Sequence, residues 1–137
     1  MSTADIRWAP APFNDTLADA ILCSSDGVGF KVFKADLIRS SPFFRDMFSL
    51  PQPVSSIDPN SYIDGLPVVV LSESGVVLDA LLRCCTFGVT PNLKTLEDAA
   101  AILGPAEKYQ LASAEATAVA TLMRVTEAEP IRAYFLA

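Results

Sequence analysis

Between Leu50 and Pro67 the sequence loses every hydrophobic period. Four prolines (Pro51, Pro53, Pro59 and Pro67) surround a Ser-rich middle. Such a stretch neither propagates a helix nor supplies a central strand. It reads as a long surface loop over 51–66, either an interaction element or a tolerated insertion. Regular structure is thereby confined to one block before this break and one after it.

In the first block, residues 1–16 carry Pro10, Pro12 and Asn14-Asp15 without a sustained period and read as an extended arm. Ile6 to Trp8 is the piece of it able to form a strand, and order in the arm would require a partner surface. From Asp19 the pattern changes. Ala20-Ile21-Leu22-Cys23, a turn at Ser25-Asp26-Gly27, and Phe30-Lys31-Val32-Phe33 make a β-hairpin. Ala35 to Arg39 and Ser41 to Phe48 form two short helices, the second capped by Ser40 or Ser41 with Pro42 in its first turn. Phe43, Phe44, Met47 and Phe48 then fall at helical spacing as the largest apolar cluster in the chain.

In the second block, Val68-Val69-Val70-Leu71 suits a short strand buried on both faces. Ser74 caps a helix running to about Phe87, whose Val77, Leu78, Leu81, Leu82 and Cys85 make a stripe wide enough for the central helix. Thr95 with Asp98 is a capping arrangement opening a further helix. Gly104-Pro105 predicts a kink or break, since an interior proline costs about 3 kcal/mol. A helix from Ser113 to about Thr126 presents Ala116, Val119, Ala120 and Met123 on one face. Glu127-Ala128-Glu129-Pro130 has the marks of one more helix start, followed by Ile131, Tyr134 and Phe135. With fewer than ten residues that helix, 127–137, is not stable alone: either the chain is a fragment or this end docks on a partner. The order predicts an α/β (α+β) domain, a small sheet capped by short helices.

Composition narrows function. The 137 residues suffice for one domain of about 14 Å radius of gyration. Ten Lys plus Arg against sixteen Asp plus Glu give a net charge of −6, so no basic footprint exists for nucleic acid. No apolar run reaches the roughly 20 residues of a membrane span, and no signal-peptide layout is present, which implies an intracellular protein. Nuclear and cytoplasmic residence are not distinguished. The absence of His removes the commonest general base and transition-metal ligand. Cys23, Cys84 and Cys85 read as reduced, mostly buried thiols. Asp26-Gly27-Val28-Gly29 lacks the third glycine and the following helix of a nucleotide loop. Glu97-Asp98 and Glu127/Glu129 sit at helix starts, where the dipole already accounts for them. No catalytic, cofactor-binding or metal-binding residue emerges, and a small enzyme is the least favoured of the function classes.

Taken together, Ala18-Asp19-x-x-Leu22, Asp26-Gly27-x-x-Phe30-x-Val32, Lys34-x-x-Leu37, Ser40-Ser41-Pro42-Phe43-Phe44-x-x-Met47-Phe48, Leu81-Leu82-Arg83-Cys84-Cys85 and Ala106-Glu107-Lys108-Tyr109-Gln110-Leu111 resemble a BTB/POZ domain over 17–126. The Met47 to Pro53, Asp64 to Val68 and Glu129 to Tyr134 stretches resemble versions from mushroom-forming (basidiomycete) fungi. The resemblance implies a short sheet flanked by a helical cluster and an activity of protein–protein association, frequently as a homodimer, in a scaffold or adaptor role. It implies a charged pocket near the dimer interface in which Asp19 meets Lys34; the alternative is a turn-end aspartate and a solvated lysine. Phe33 replaces the histidine common in the family before that basic residue.

Ile6, Trp8, Phe13, Phe33 and Leu37 are the candidate apolar contacts of a dimer, which should bury more than about 1,000 Å². Their alternative is intramolecular core. Within the family, cullin-RING ubiquitin ligase adaptors carry a hydrophobic-x-Glu element after the Met-Phe pair. Here Leu50-Pro51-Gln52-Pro53-Val54 stands there, leaving Leu50, Gln52 and Val54 as a partner-binding loop without the glutamate, so a cullin scaffold is the second candidate partner and remains unsupported.

Overall fold

The computed structural model describes residues 6–49, 62–86, 93 and 95–128. Its elements are β1 (Arg7–Trp8), β2 (Ala20–Cys23), β3 (Val28–Val32), α1 (Lys34–Ser40), α2 (Pro42–Ser49), β4 (Tyr62–Ile63), β5 (Leu66–Val70), α3 (Gly75–Cys85), α4 (Leu96–Lys108) and α5 (Ala112–Ala128). The class is α+β, as the sequence predicts. The five strands lie in the order β1-β3-β2-β5-β4. β2 pairs antiparallel with β3, Ala20 opposite Val32 and Cys23 opposite Gly29, and parallel with β5, Ile21 opposite Val68.

β2 is the centre of the molecule, and all four of its residues are buried. Because side chains alternate along a strand, Ala20 and Leu22 enter the main core with Phe30, Leu37, Phe44, Leu78, Leu81 and Leu82. Ile21 points to the other face, where it forms a smaller cluster with Ile6 and Ile63. Burying each leucine of α3 contributes about 1.5–3 kcal/mol. Ser74 opens that helix by accepting the Val77 N–H at 3.4 Å, and Ser41 opens α2 by accepting the Phe44 N–H at 3.1 Å. Thr95 and Asp98 exchange the two bonds of a capping box at the start of α4.

Several expectations are corrected. The predicted 51–66 loop includes a hairpin: Tyr62–Ile63 pairs antiparallel with β5. Asp64 (φ 52) and Gly65 (φ 78) turn it, both in the left-handed region that an Asp-Gly hairpin turn requires. Residues 51–61 lie outside the described ones. β5 is not buried on both faces. Val70 is 64 % exposed, and the other residues of β5 are only half-buried. α3 ends at Cys85 rather than near Phe87, which lies outside the described residues.

Pro105 does not break α4, which runs through it to Lys108. Gly104 has no Cβ to clash with the proline ring, the usual reason a pre-proline residue leaves the helical region. The helix ends instead at a Schellman motif: the Leu111 N–H donates to the Ala106 carbonyl at 2.8 Å and the Gln110 N–H to the Glu107 carbonyl at 3.1 Å. Gln110 takes φ 56, where glycine is usual.

α5 runs through Ala128, so Glu127 and Ala128 close this helix and do not begin another; residues 129–137 lie outside the described ones. The face named from the sequence is the outer one. Ala114, Ala118 and Thr121 are buried, whereas Ala116, Val119, Ala120 and Met123 face outward. Close packing on α4 selects the stripe of small side chains, and periodicity alone could not choose between two apolar stripes on one helix.

Candidate functional site

Of the predicted site residues, Phe13, Asp19, Phe33, Lys34 and Leu37 lie where the arm, the β2–β3 hairpin and α1 meet. Asp19 stands at the entry to β2, its N–H bonded to the Val32 carbonyl at 3.1 Å. Its Oδ1 accepts the backbone N–H of Lys34, the first residue of α1, at 2.7 Å. Asp19 and Lys34 therefore meet, but through the lysine's backbone and not its ammonium. The Lys34 Nζ lies instead 5.6 Å above the Phe48 ring. The aspartate acts as a capping acceptor from outside the helix, because Phe33, at the N-cap position, has no side-chain acceptor of its own. Phe33 is half-buried, and Leu37 is fully buried.

Residues 6–16 of the arm pack against their own chain, which corrects the expectation that order there requires a partner. The Arg7 N–H donates to the Gly27 carbonyl at 2.8 Å and the Ala9 N–H to the Gly29 carbonyl at 2.9 Å, laying β1 parallel to β3. Gly29 makes this approach possible, since a Cβ there would stand 2.7 Å from Ile6 and 2.9 Å from Trp8. Further on, the Lys31 N–H donates to the Phe13 carbonyl at 3.0 Å. The Phe13 ring meets Phe30 edge-on, with centroids 5.5 Å apart. Ile6, Phe13 and Leu37, named as candidates for contact with a second copy, are thus buried within one chain.

Trp8 differs: it is 40 % exposed, with the Lys31 Nζ 5.1 Å above its ring. Leu17, which the sequence reading passed over, is 80 % exposed. Its N–H donates to Asp15 Oδ1 at 2.8 Å in a tight turn that holds the side chain outward. Arm, hairpin and α1 enclose a recess of about 270 Å³ lined by Phe13, Asp15, Lys31, Phe33, Asp36 and Cys85, among others. Burial pushes the Cys85 thiol up to about 12, so it stays protonated at neutral pH and is a poor nucleophile.

Two polar clusters were missed. At the far end of the hairpin the fully buried Ser24 donates its hydroxyl proton to Asp26 Oδ1 and accepts the Val28 N–H at 2.9 Å. The same Oδ1 accepts the Gly75 N–H at 2.8 Å, tying the turn to the first residue of α3. The Ser24 hydroxyl, and then the Gly75 N–H, hold the Asp26 carboxyl below its ordinary range. In the second cluster Glu73 receives the Tyr109 hydroxyl and, at 3.1 Å, the Lys108 ammonium. Burial alone would raise Glu73, but these two donors hold it below its ordinary range. Burial and the hydrogen bond to Glu73 raise Tyr109. The Asp26-Gly27 turn signal marks the first cluster in the sequence; its acceptor role depends on a residue 49 positions away.

Among the described residues no group of three or more His, Cys, Asp or Glu side chains is placed to hold a metal ion, and no helix is long and apolar enough to cross a membrane. Leu50, Gln52 and Val54 lie outside the described residues.

No protein-family model matches the chain, and no curated protein sequence matches it either. Solved structures do. The BTB domain of zebrafish PATZ1 superposes with a TM-score of 0.56 at 17 % identity, covering 78 % of this chain and 76 % of that one. The BTB (Tramtrack and Bric a brac) domain of human gigaxonin superposes with a TM-score of 0.52 at 18 % identity, covering 78 % of this chain and 79 % of that one. The fold is that of a BTB domain.

Proposed function

We propose that this BTB fold serves as a protein-association module that pairs with a second copy of itself through the side formed by the arm and α1. The observation that carries this reading is the exposure of Leu17 and Trp8 on an arm that is otherwise docked and hydrogen-bonded. An apolar side chain held outward by an ordered turn serves association better than stability. The half-buried Phe33 and the recess beside it continue the surface. Asp19 and Lys34 lie at its edge, where charge sets orientation more than affinity. The module then acts as a scaffold or adaptor, with specificity toward further proteins outside this surface. A cullin scaffold is the alternative partner. It is the weaker reading, because the sequence at Leu50, Gln52 and Val54 lacks the glutamate of the cullin-binding element.

Sedimentation of the whole chain over a range of concentrations tests the pairing. The expected mass rises from 14.6 kDa toward twice that value. Leu17→Glu should weaken association by roughly tenfold or more, about 1.4 kcal/mol, while leaving the fold intact because the side chain touches little of its own chain. A wild-type chain that stays monomeric at high micromolar concentration overturns the proposal.

A further inference from the structure

Leu17 and the recess beside α1 are a projection and a hollow set side by side. Leu17 projects from a turn closed twice, by its own N–H on Asp15 Oδ1 at 2.8 Å and by the Ala18 N–H on the Asp15 carbonyl at 3.2 Å. Ala18, the next residue, is buried, so the turn is anchored and little freedom is lost when the projecting side chain meets a partner. Asp15 also lines the recess. One residue thus belongs to both features.

The floor of the recess is apolar, made by the buried Phe13, Leu37, Leu82 and Cys85. Its volume of about 270 Å³ exceeds the roughly 150 Å³ at which an apolar cavity admits benzene, so a leucine side chain enters it. Leu17 of the same chain lies outside it and stays 80 % exposed. The rim carries both signs: Lys31, and the Arg39 that pairs with Asp36 at 2.8 Å, stand against Asp36 and Asp15. Two chains of net charge −6 repel each other as wholes. A face whose charges balance is one on which they can meet.

On the premise of the pairing proposed above, we infer that the recess receives Leu17 of a second copy, each copy inserting its leucine into the other. A twofold axis between projection and hollow makes both insertions by one rotation, and the assembly closes at two copies. A segment of another protein in the hollow would leave Leu17 in water; a second copy satisfies both features at once.

Mixing two variants tests this. Leu17→Ala removes the projection and keeps the hollow. Thr86→Trp fills the hollow, whose wall includes Thr86, and keeps the projection. Each variant alone loses both insertions and should pair about a hundredfold more weakly than the wild type, about tenfold per leucine. A mixture of the two retains one insertion per pair and should associate about tenfold more tightly than either variant alone, read by sedimentation. If the wild type pairs but the mixture is no tighter than its components, the inference falls and the pairing stands. A wild type that stays single at high micromolar concentration overturns both. Should Thr86→Trp not fold, methyl NMR on a mixture of leucine-labelled and unlabelled wild-type chains decides. The Leu17 methyls are expected to cross-relax with Phe13 or Phe33 ring protons of the other molecule. Leu17 methyls without ring contacts, or with contacts only to their own chain, overturn the inference.

Discussion

The β2–β3 hairpin ends in an aspartate on either side, and the two perform the same local act with different consequences. Asp19 receives the backbone N–H of the first residue of α1, and Asp26 receives that of the first residue of α3. Both carboxylates thus dock a helix start onto the hairpin, where the dipole favours negative charge. Asp26 also receives the buried Ser24 hydroxyl, which in turn holds the Val28 N–H. Asp19 makes its bond at an exposed position. The lesson is that an acceptor shared by two donors, one of them the buried Ser24 hydroxyl, ties the turn to α3 by several bonds, whereas Asp19 holds the start of α1 by one exposed bond.

Three changes test this contrast. Ser24→Ala, at the locked end, should have the largest effect, about 1–2 kcal/mol of lost stability in chemical denaturation, since it removes the buried hydroxyl at the centre of a part-buried network. A loss no greater than that of an exposed serine would mean the network does not lock the turn. Acid should then distinguish the two ends. The folded Asp26 carboxyl lies below its ordinary value of 3.8, so its contribution is present above that pH and is lost as pH falls through the lower folded value. The melting temperature of Asp26→Asn should accordingly lie below that of the wild type at pH 7, with the gap closing below about pH 4. A constant gap across the acid range would break the assignment. Subtracting the variant is necessary because Glu73 also titrates low. The smallest effect belongs to Asp19→Ala, about 0.5–1 kcal/mol for a lost exposed cap; sedimentation of the same variant reports whether Asp19 also orients association.

Much of the fold was legible because its signals are local. The hairpin from Ala20 to Val32, the caps at Ser41, Ser74 and Thr95, and the Leu78, Leu81, Leu82 stripe of α3 each follow from residues within a turn or two of one another. The Asp64-Gly65 hairpin carried an equally local signal, masked by the prolines around it. The continuity of α4 was not legible at Pro105, because the relief that Gly104 gives is a matter of steric detail and not of pattern. The candidate site was legible only in part. Asp19, Lys34, Phe33 and Phe13 do converge, yet Leu17 carries no motif, and its exposure follows from a turn that only the folded arm fixes.

What the sequence determined unaided is most of the strand and helix segments and the caps that start them, since propensity, capping and period act between neighbours along the chain; where α3, α4 and α5 stop was decided by the fold. What the tertiary structure alone decided is which apolar face turns inward. The arm buries Ile6 and Phe13 because Gly29 admits it, and α5 turns its smallest stripe to α4 because backbones approach closest there. Those choices depend on the shape of the facing element, and that shape comes from residues distant in sequence.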